Sequence, residues 1–154
     1  MRNSPFLPMT QITYRDWTFD CEVEATREAY DAIPAGGVET CECSGCRNFL
    51  VQRESVWPEE ILKLFDELGV SYKQAAEIYH TAKLPSGLHL YGGWFHFVGV
   101  IQNESIGPTT LGRFTVDFLS ERALATKAFE NHPLVQIEIT AEIPWVLAEE
   151  PELD

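Results

Sequence analysis

The sequence predicts an α+β fold, a single domain of residues 1–154 in which a mainly antiparallel sheet is accompanied by a few helices in the first half. A length of 154 residues is typical of one domain. The clearest helical spacing of apolar residues comes before residue 70, whereas strand-like alternation dominates after residue 76. No repeat, low-complexity tract or linker interrupts the chain, so the sequence predicts no further division.

The beginning of the chain predicts an irregular arm, a strand and a short helix. Residues 1–10 predict the arm, because they hold two prolines and no periodic pattern. Residues 12–24 predict a strand, since large apolar residues alternate with polar ones at period two. Cys21 belongs to the apolar face of that strand. Residues 26–33 then predict a helix that ends before a proline.

Two further helices are predicted in the first half. Residues 45–53 predict a helix that begins within a cysteine-rich segment. Residues 58–69 predict the clearest helix, because Pro58 suits the first turn, two glutamates follow it, and Gly69 suits the stop. Its apolar residues follow the i, i+3, i+4, i+7 spacing of one buried stripe. They are Ile61, Leu64, Phe65 and Leu68.

Four strands are predicted in the second half, where branched and aromatic residues are frequent. Gly92 and Gly93, inside the second strand, predict either a bulge or a close backbone approach. Residues 120–129 predict a loosely helical connection, and residues 149–154 predict a frayed acidic tail. The predicted strands are residues 77–83, 88–102, 114–119 and 134–143. For the first of them a helix capped by Ser71 and Gln74 is the alternative.

Charge and hydropathy narrow the classes of partner. Acidic residues outnumber basic ones 24 to 11, giving a formal net charge of −13. Such a surface repels polyanions, so the composition predicts neither nucleic-acid binding nor adhesion to an anionic membrane. The charge favours a soluble protein, and it also suits one that meets a basic protein partner. No apolar run approaches the roughly 18–20 residues that span a bilayer. The N-terminal segment lacks the apolar core of a signal peptide, so we expect a cytoplasmic protein with reduced thiols.

Three of the four cysteines, Cys41, Cys43 and Cys46, lie within six residues. Thiolates are the ligands that zinc and other soft or borderline metals prefer, and a C-x-C-x-x-C segment wraps one ion with short loops. The segment therefore predicts a metal site, with zinc as the expected ion. An iron–sulfur cluster is the weaker alternative, because the spacing does not match ferredoxin patterns. A cluster of reduced thiols without metal is the other alternative.

A four-coordinate zinc site needs one ligand beyond these three. Cys21 would complete an all-cysteine set, although its place on the apolar face also fits core packing. His96, in an aromatic segment, is the second candidate, as a metal ligand or a general base, and is otherwise a half-buried histidine. The remaining histidines, His80, His89 and His132, would also complete a mixed set, and water would leave an open site.

Arg47 and Asn48 directly follow the last thiol of the cluster, and both are candidates to act on its thiolates. A guanidinium near thiolates would lower their pKa, and an amide would donate a hydrogen bond to sulfur. In an acidic protein, an arginine on the surface of a helix would instead pair with a carboxylate.

Four segments resemble a family of small uncharacterised bacterial proteins. The first is Cys41-x-Cys43-x-x-Cys46-Arg47-Asn48-Phe49, and the block from Tyr91 to Gly99, Tyr-Gly-Gly-Trp-Phe-His-Phe-Val-Gly, is the most distinctive of the others. The remaining two run from Trp57 to Val70 and from Val135 to Leu147. The resemblance covers roughly residues 40–147. It implies a bacterial, intracellular, single-domain protein and implies no activity.

The sequence leaves three functions open. The first is a small zinc-binding protein with a structural site that acts through binding, and it requires the fewest assumptions. The second is a metal- or thiol-dependent enzyme with an open metal site, in a pocket lined by Tyr91 and Trp94 with His96 as acid or base. The third is a redox sensor whose neighbouring thiols release the metal on oxidation. Motifs for a serine nucleophile or a phosphate-binding loop do not occur.

Overall fold

The computed structural model describes residues 9–33, 41–103 and 106–151. Within these ranges, three α-helices precede residue 70 and one 3-10 helix follows later. The helices are α1 (Val23–Asp31), α2 (Ser44–Gln52), α3 (Glu59–Leu68) and the 3-10 helix Lys127–Phe129. The strands are β1 (Thr10–Tyr14), β2 (Trp17–Cys21), β3 (Glu77–Lys83), β4 (His89–Ile101), β5 (Thr109–Leu111), β6 (Phe114–Leu119) and β7 (Leu134–Ile143).

The seven strands form one antiparallel sheet in the order β1-β2-β4-β7-β6-β5, with β3 also paired to β4. The long strand β4 is the centre of this sheet. One of its edges pairs with β3 through residues 89–94 and with β2 through residues 99–101. Its other edge pairs with β7 from the His89–Ile143 pair to the Val98–Leu134 pair. The α+β prediction, with helices in the first half and an antiparallel sheet, is confirmed.

Three predictions about the beginning of the chain need correction. Residues 12–24 are not one extended segment, because a turn at Arg15 and Asp16 divides them into the β1–β2 hairpin. Arg15 has a φ of 52°, a left-handed conformation that lets a two-residue turn reverse the chain. The helix begins at Val23, before the predicted residue 26. Most of the predicted arm lies outside the described residues, but Thr10 already belongs to β1.

The second half follows the predicted strands closely, with two exceptions. Residues 120–129 are helical only over Lys127–Phe129, and the rest is an irregular segment that covers one face of the sheet. The short strand β5 was not predicted. It pairs with β6 over three residue pairs and forms the outer edge of the sheet.

An aromatic cluster fixes the helices on the sheet. The Trp57 ring lies 5.7 Å from both Phe65 of α3 and Phe95 of β4, and 5.4 Å from Phe114 of β6, measured between ring centroids. Phe49 of α2 contacts the same tryptophan at 6.3 Å. Such tilted and edge-on pairs each stabilise a core by about 0.5–1.5 kcal/mol beyond their area burial. The cluster therefore anchors α2, which carries part of the cysteine segment.

Gly92 and Gly93 mark a close approach of β3 and β4. A Cβ atom on Gly93 would lie 2.6 Å from the backbone oxygen of Glu77, and one on Gly92 would lie 2.4 Å from the Tyr79 ring. The irregularity in this strand pair falls in β3 instead, between His80 and Ala82. Of the two predicted explanations for this glycine pair, the close approach is therefore the one observed.

No helix in the described ranges is both long enough and apolar enough to cross a membrane.

Candidate metal centre

The cysteine segment lies at the start of α2, where sulfur caps the helix. Cys43 is the N-cap residue, with extended backbone angles (φ −69°, ψ 158°). Its Sγ accepts a hydrogen bond from the backbone N–H of Cys46 at 3.4 Å. Capping by an acceptor at this position satisfies one of the free N–H groups of the first turn. The same bond places the Cys43 and Cys46 side chains on one side of the helix.

The three thiols of the segment converge. The Sγ atoms of Cys41, Cys43 and Cys46 all lie within 4.8 Å of one another, and those of Cys41 and Cys43 are 3.2 Å apart. None of these cysteines forms a disulfide. Zinc–sulfur bonds of about 2.3 Å at tetrahedral angles separate two sulfurs by about 3.8 Å. The observed spacing is thus compatible with one metal ion bound by three sulfurs.

Burial and acidity differ along the cluster. Cys41 is exposed, Cys43 is half-buried, and Cys46 has only 5% of its surface exposed. A hydrogen bond from the Cys46 thiol, supported by the backbone N–H of Cys43, lowers the pKa of Cys41. Burial raises the pKa of Cys46, and its hydrogen bonds to the other two thiols raise it further. Of these two thiols, the exposed Cys41 is therefore the one that favours the thiolate form.

A histidine pair lies against the first turn of α2. A Cβ atom on Gly45 would lie 2.7 Å from Cβ of His80 and 3.5 Å from its Nδ1, so only glycine fits beneath this imidazole. The Nε2 atom of His80 is 2.8 Å from Nδ1 of His89, a hydrogen-bond distance. Trp145 covers both rings, at centroid distances of 5.7 Å and 4.9 Å. In the sequence, His80 is only one of the further histidines that would complete a mixed ligand set.

Asn48 attaches α2 to the segment that follows β7. Its amide nitrogen donates to the hydroxyl of Tyr91 at 3.2 Å and to the carbonyl of Pro144 at 3.0 Å. Its amide oxygen accepts from the N–H of Val146 at 2.8 Å. Tyr91 in turn donates to the carbonyl of Gly45 at 2.6 Å. Asn48 therefore supports the helix that carries Cys46, and its amide is committed to these partners instead of to sulfur.

Arg47 pairs with a carboxylate, the second of its two predicted roles. Its guanidinium forms a two-pronged ion pair with Glu149, and its Nε donates to the carbonyl of Glu42 at 3.2 Å. This pair lowers the pKa of Glu149. The indole of Trp145 also donates to the Glu149 carbonyl at 2.9 Å. Glu149, the first residue of the predicted frayed tail, thus has partners for both its side chain and its backbone carbonyl.

Cys21 lies outside the cluster. It is the last residue of β2, has no exposed surface, and pairs with Gly99 of β4. Burial raises the pKa of its thiol to about 12. Cys21 is not part of the group of sulfurs within 4.8 Å, so its position is that of a core residue, the alternative that the strand pattern also offered.

His96 also lies outside the cluster. It has 2% of its surface exposed, and its Nε2 is 3.1 Å from the amide oxygen of Gln136 on β7. Tyr91 and Trp94 occupy opposite faces of β4: the first contacts α2, whereas the indole of the second donates to the carbonyl of Ala123 at 2.8 Å. The enzyme hypothesis expected these residues to line one pocket with the metal cluster, and they do not.

A groove among the described residues lies away from the cysteines. It has a volume of about 600 Å³ and runs between the end of α2, the start of α3 and the β5–β6 hairpin. Among the described residues that line it there is no cysteine or histidine; its polar side chains include Glu60, Arg113 and Glu142. The cysteine cluster and this groove are thus in different places.

Comparison with known proteins finds no matching family model, no matching curated protein and no matching solved structure.

Proposed function

We propose that the protein binds one zinc ion through the thiolates of Cys41, Cys43 and Cys46, and that the bound ion stabilises the fold. The observation that carries this proposal is the convergence of three sulfurs within 4.8 Å at a helix start. The helix dipole and the free N–H groups of the first turn favour the negative charge that a thiolate ligand set requires. Zinc accepts such a set without any change of oxidation state.

An iron–sulfur cluster is the weaker candidate for these ligands. Such clusters are usually held by four cysteine thiolates. The fourth cysteine of the chain, Cys21, is buried in the sheet and is not in the group. The donor set therefore favours a single ion.

A closed structural site also needs a fourth ligand, and we propose His80. Its imidazole packs on Gly45, which lies between Cys43 and Cys46 in the sequence. One nitrogen of the ring is hydrogen-bonded to His89. Histidine ligands of metals commonly have such a partner on their second nitrogen, which orients the ring. His80 is not within the 4.8 Å group, so coordination requires its ring to move toward the sulfurs.

Cobalt substitution tests both parts of this proposal. Titration of the reduced protein with Co²⁺ is expected to give thiolate charge-transfer absorption that saturates at one equivalent, together with the visible bands of tetrahedral cobalt. In His80→Ala these visible bands are expected to shift while the stoichiometry is retained. Absorption of octahedral cobalt alone would contradict the site, whereas unchanged bands in His80→Ala would contradict only the fourth ligand. His132→Ala serves as the matched control.

The 3.2 Å distance between the Cys41 and Cys43 sulfurs supports a second candidate, a peroxide-sensing thiol switch. In it, the Cys41 thiolate attacks one oxygen of a hydroperoxide, the O–O bond breaks, and water or an alcohol leaves. The resulting sulfenic acid is attacked by a second thiol of the cluster, which forms a disulfide and releases water. Peroxide treatment is expected to remove two hydrogens from the protein mass reversibly and to release zinc. Stepwise addition of oxygen atoms without a disulfide would contradict this candidate.

The proposal also includes the compartment, the class of partner and the family of the protein. A reducing compartment such as the cytoplasm keeps the thiols available for metal. The net charge of −13 supports a basic protein as partner and disfavours nucleic acids. Membership of the bacterial family that the cysteine and aromatic segments resemble stays a prediction.

A further inference from the structure

The second site that we infer lies around His96, on the opposite side of β4 from Tyr91 and α2. His96 has 2% of its surface exposed and lines the wall of a cavity. The cavity has a volume of about 90 Å³. It is bounded by α1, the segment before β3 and the 3-10 helix, and its lining includes Tyr30, Gln74, Ala76 and Thr126.

The proton position on His96 follows from its neighbours. The amide oxygen of Gln136 accepts the N–H of Ala123 at 2.9 Å, and the amide nitrogen donates to the carboxylate of Glu138 at 2.8 Å. The Gln136 oxygen therefore faces Nε2 of His96, and a bond between them requires the hydrogen on Nε2. Burial lowers the pKa of His96, so the ring is neutral and Nδ1 carries a lone pair.

This lone pair faces the cavity. Among residues 9–33, 41–103 and 106–151, Nδ1 of His96 has no hydrogen-bond partner, whereas Nε2 has Gln136. Some side-chain nitrogens of the described residues are fully buried and have no partner, and Nδ1 of His96 is not among them. It therefore meets accessible space, and for a residue with 2% exposure that space is the cavity it lines. Buried polar atoms normally have a partner, so this atom indicates that the cavity takes up a hydrogen-bond donor.

The wall of the cavity defines the chemistry of its occupant. The amide nitrogen of Gln74 is committed to the carbonyls of Tyr30 and Ile33, which leaves its oxygen as a second acceptor. Two acceptors without a counter-charge favour a neutral hydrogen-bond donor, because a buried unpaired cation is costly. The positive charge of Arg122, close enough to lower the pKa of His96, also disfavours a cationic occupant.

We propose that this cavity binds a small neutral molecule bearing a hydroxyl or amide donor, which donates to Nδ1 of His96. The volume is that of roughly three water molecules at about 30 Å³ each, so the occupant is a compound of a few non-hydrogen atoms or the end group of a larger one. The chain of Glu138, Gln136 and His96 holds the lone pair in place for it. This site is independent of the cysteine cluster.

Ethanol and acetonitrile are matched probes, since each has three non-hydrogen atoms but only ethanol has a donor. The readout is the ring ¹⁵N resonances of histidine-labelled protein. Ethanol is expected to shift the Nδ1 resonance of His96 saturably, with a Kd of about 1 mM or weaker, the limit that affinity per atom sets for so small a ligand. Acetonitrile is expected to leave it unshifted. The variant Ala76→Leu, which fills the cavity and leaves His96 intact, is expected to abolish the ethanol shift while His96 keeps its hydrogen on Nε2.

Three results would overturn the proposal. They are an unsaturable or absent ethanol shift in the folded protein, an equal shift with acetonitrile, and an ethanol shift that persists in Ala76→Leu. The ring resonances of His132 provide the internal control, because that residue does not line the cavity.

Discussion

Replacement of Asn48 by alanine tests whether the cysteine-bearing helix depends on the segment after β7. The Asn48 side chain has no exposed surface and makes three hydrogen bonds, to Tyr91, Pro144 and Val146. Each such bond contributes about 1 kcal/mol net. Two of the partners keep another bond, Tyr91 to the Gly45 carbonyl and Pro144 from Gln52, so little further cost arises from unsatisfied groups.

The expected loss in Asn48→Ala is therefore about 3 kcal/mol in the free energy of unfolding. For a domain of this size that corresponds to a fall in Tm of roughly 6–12 °C. Urea unfolding of the metal-free protein, followed by tryptophan fluorescence, measures the loss. Val51→Ala is the matched control, because Val51 lies one turn further along α2 with 65% of its surface exposed, and we expect a change below about 0.5 kcal/mol. A loss in Asn48→Ala no larger than in the control would refute the reasoning.

Three other substitutions probe separate parts of the molecule. Burial holds the pKa of His96 below its unfolded value of about 6.5, so the unfolded state binds more protons than the native state as the pH falls. The native protein should therefore lose stability toward acid by at most about 1.4 kcal/mol per pH unit, as measured by urea unfolding. His96→Gln should lack this component of the pH dependence. Gly93→Ala should destabilise the protein by about 1–3 kcal/mol, because the new Cβ meets a backbone oxygen at 2.6 Å. The loss should exceed that in Gly92→Ala, whose Cβ clashes with a half-exposed tyrosine ring that is able to move. Equal falls in Tm for the two variants would contradict this. Glu149→Gln, which removes the exposed carboxylate that pairs with Arg47, should change Tm by little, because exposed ion pairs contribute about 0–1 kcal/mol. The metal content should be unaltered, and a large loss of metal would show that this pair positions the site.

Much of the fold was predictable because each strand carries its own pattern. The bounds predicted for β3, β6 and β7, residues 77–83, 114–119 and 134–143, are those of the structure. The segment 12–24 was misjudged because the alternation that begins at Trp17 was extended back across a two-residue turn, although the buried positions change there from even numbers, Ile12 and Tyr14, to odd ones. The strand β5 has three residues, too few for a periodic signal.

The candidate site was predictable only where it is local in sequence. The thiols of the cluster lie within six residues, so their spacing already brings them together. The surroundings depend on contacts between distant segments: Asn48 meets Tyr91, 43 residues away, and Pro144, 96 residues away. His80 reaches Gly45 only because the β3–β4 hairpin folds against α2. His80 and His89 lie on either side of the turn of that hairpin, and this placement was the one signal in the sequence for their pairing.

His96 illustrates the opposite case, in which the residue was singled out but its neighbours were not. The aromatic segment indicated a half-buried histidine, and the structure buries it almost completely. Its relation to Gln136 depends on the register of β4 against β7, where the two residues are directly opposite. The cavity depends on Tyr30 and Phe129, which are brought together from α1 and the 3-10 helix at a centroid distance of 5.5 Å.

The most direct test of the zinc proposal is the metal content of the protein, measured by elemental mass spectrometry after purification without a metal-affinity step. The native chain and Cys21→Ala are expected to hold about one equivalent of zinc, since Cys21 lies outside the cluster. Cys43→Ser is expected to hold far less. Folded native protein without zinc or another metal, or metal content that is unaffected by Cys43→Ser, would contradict the account.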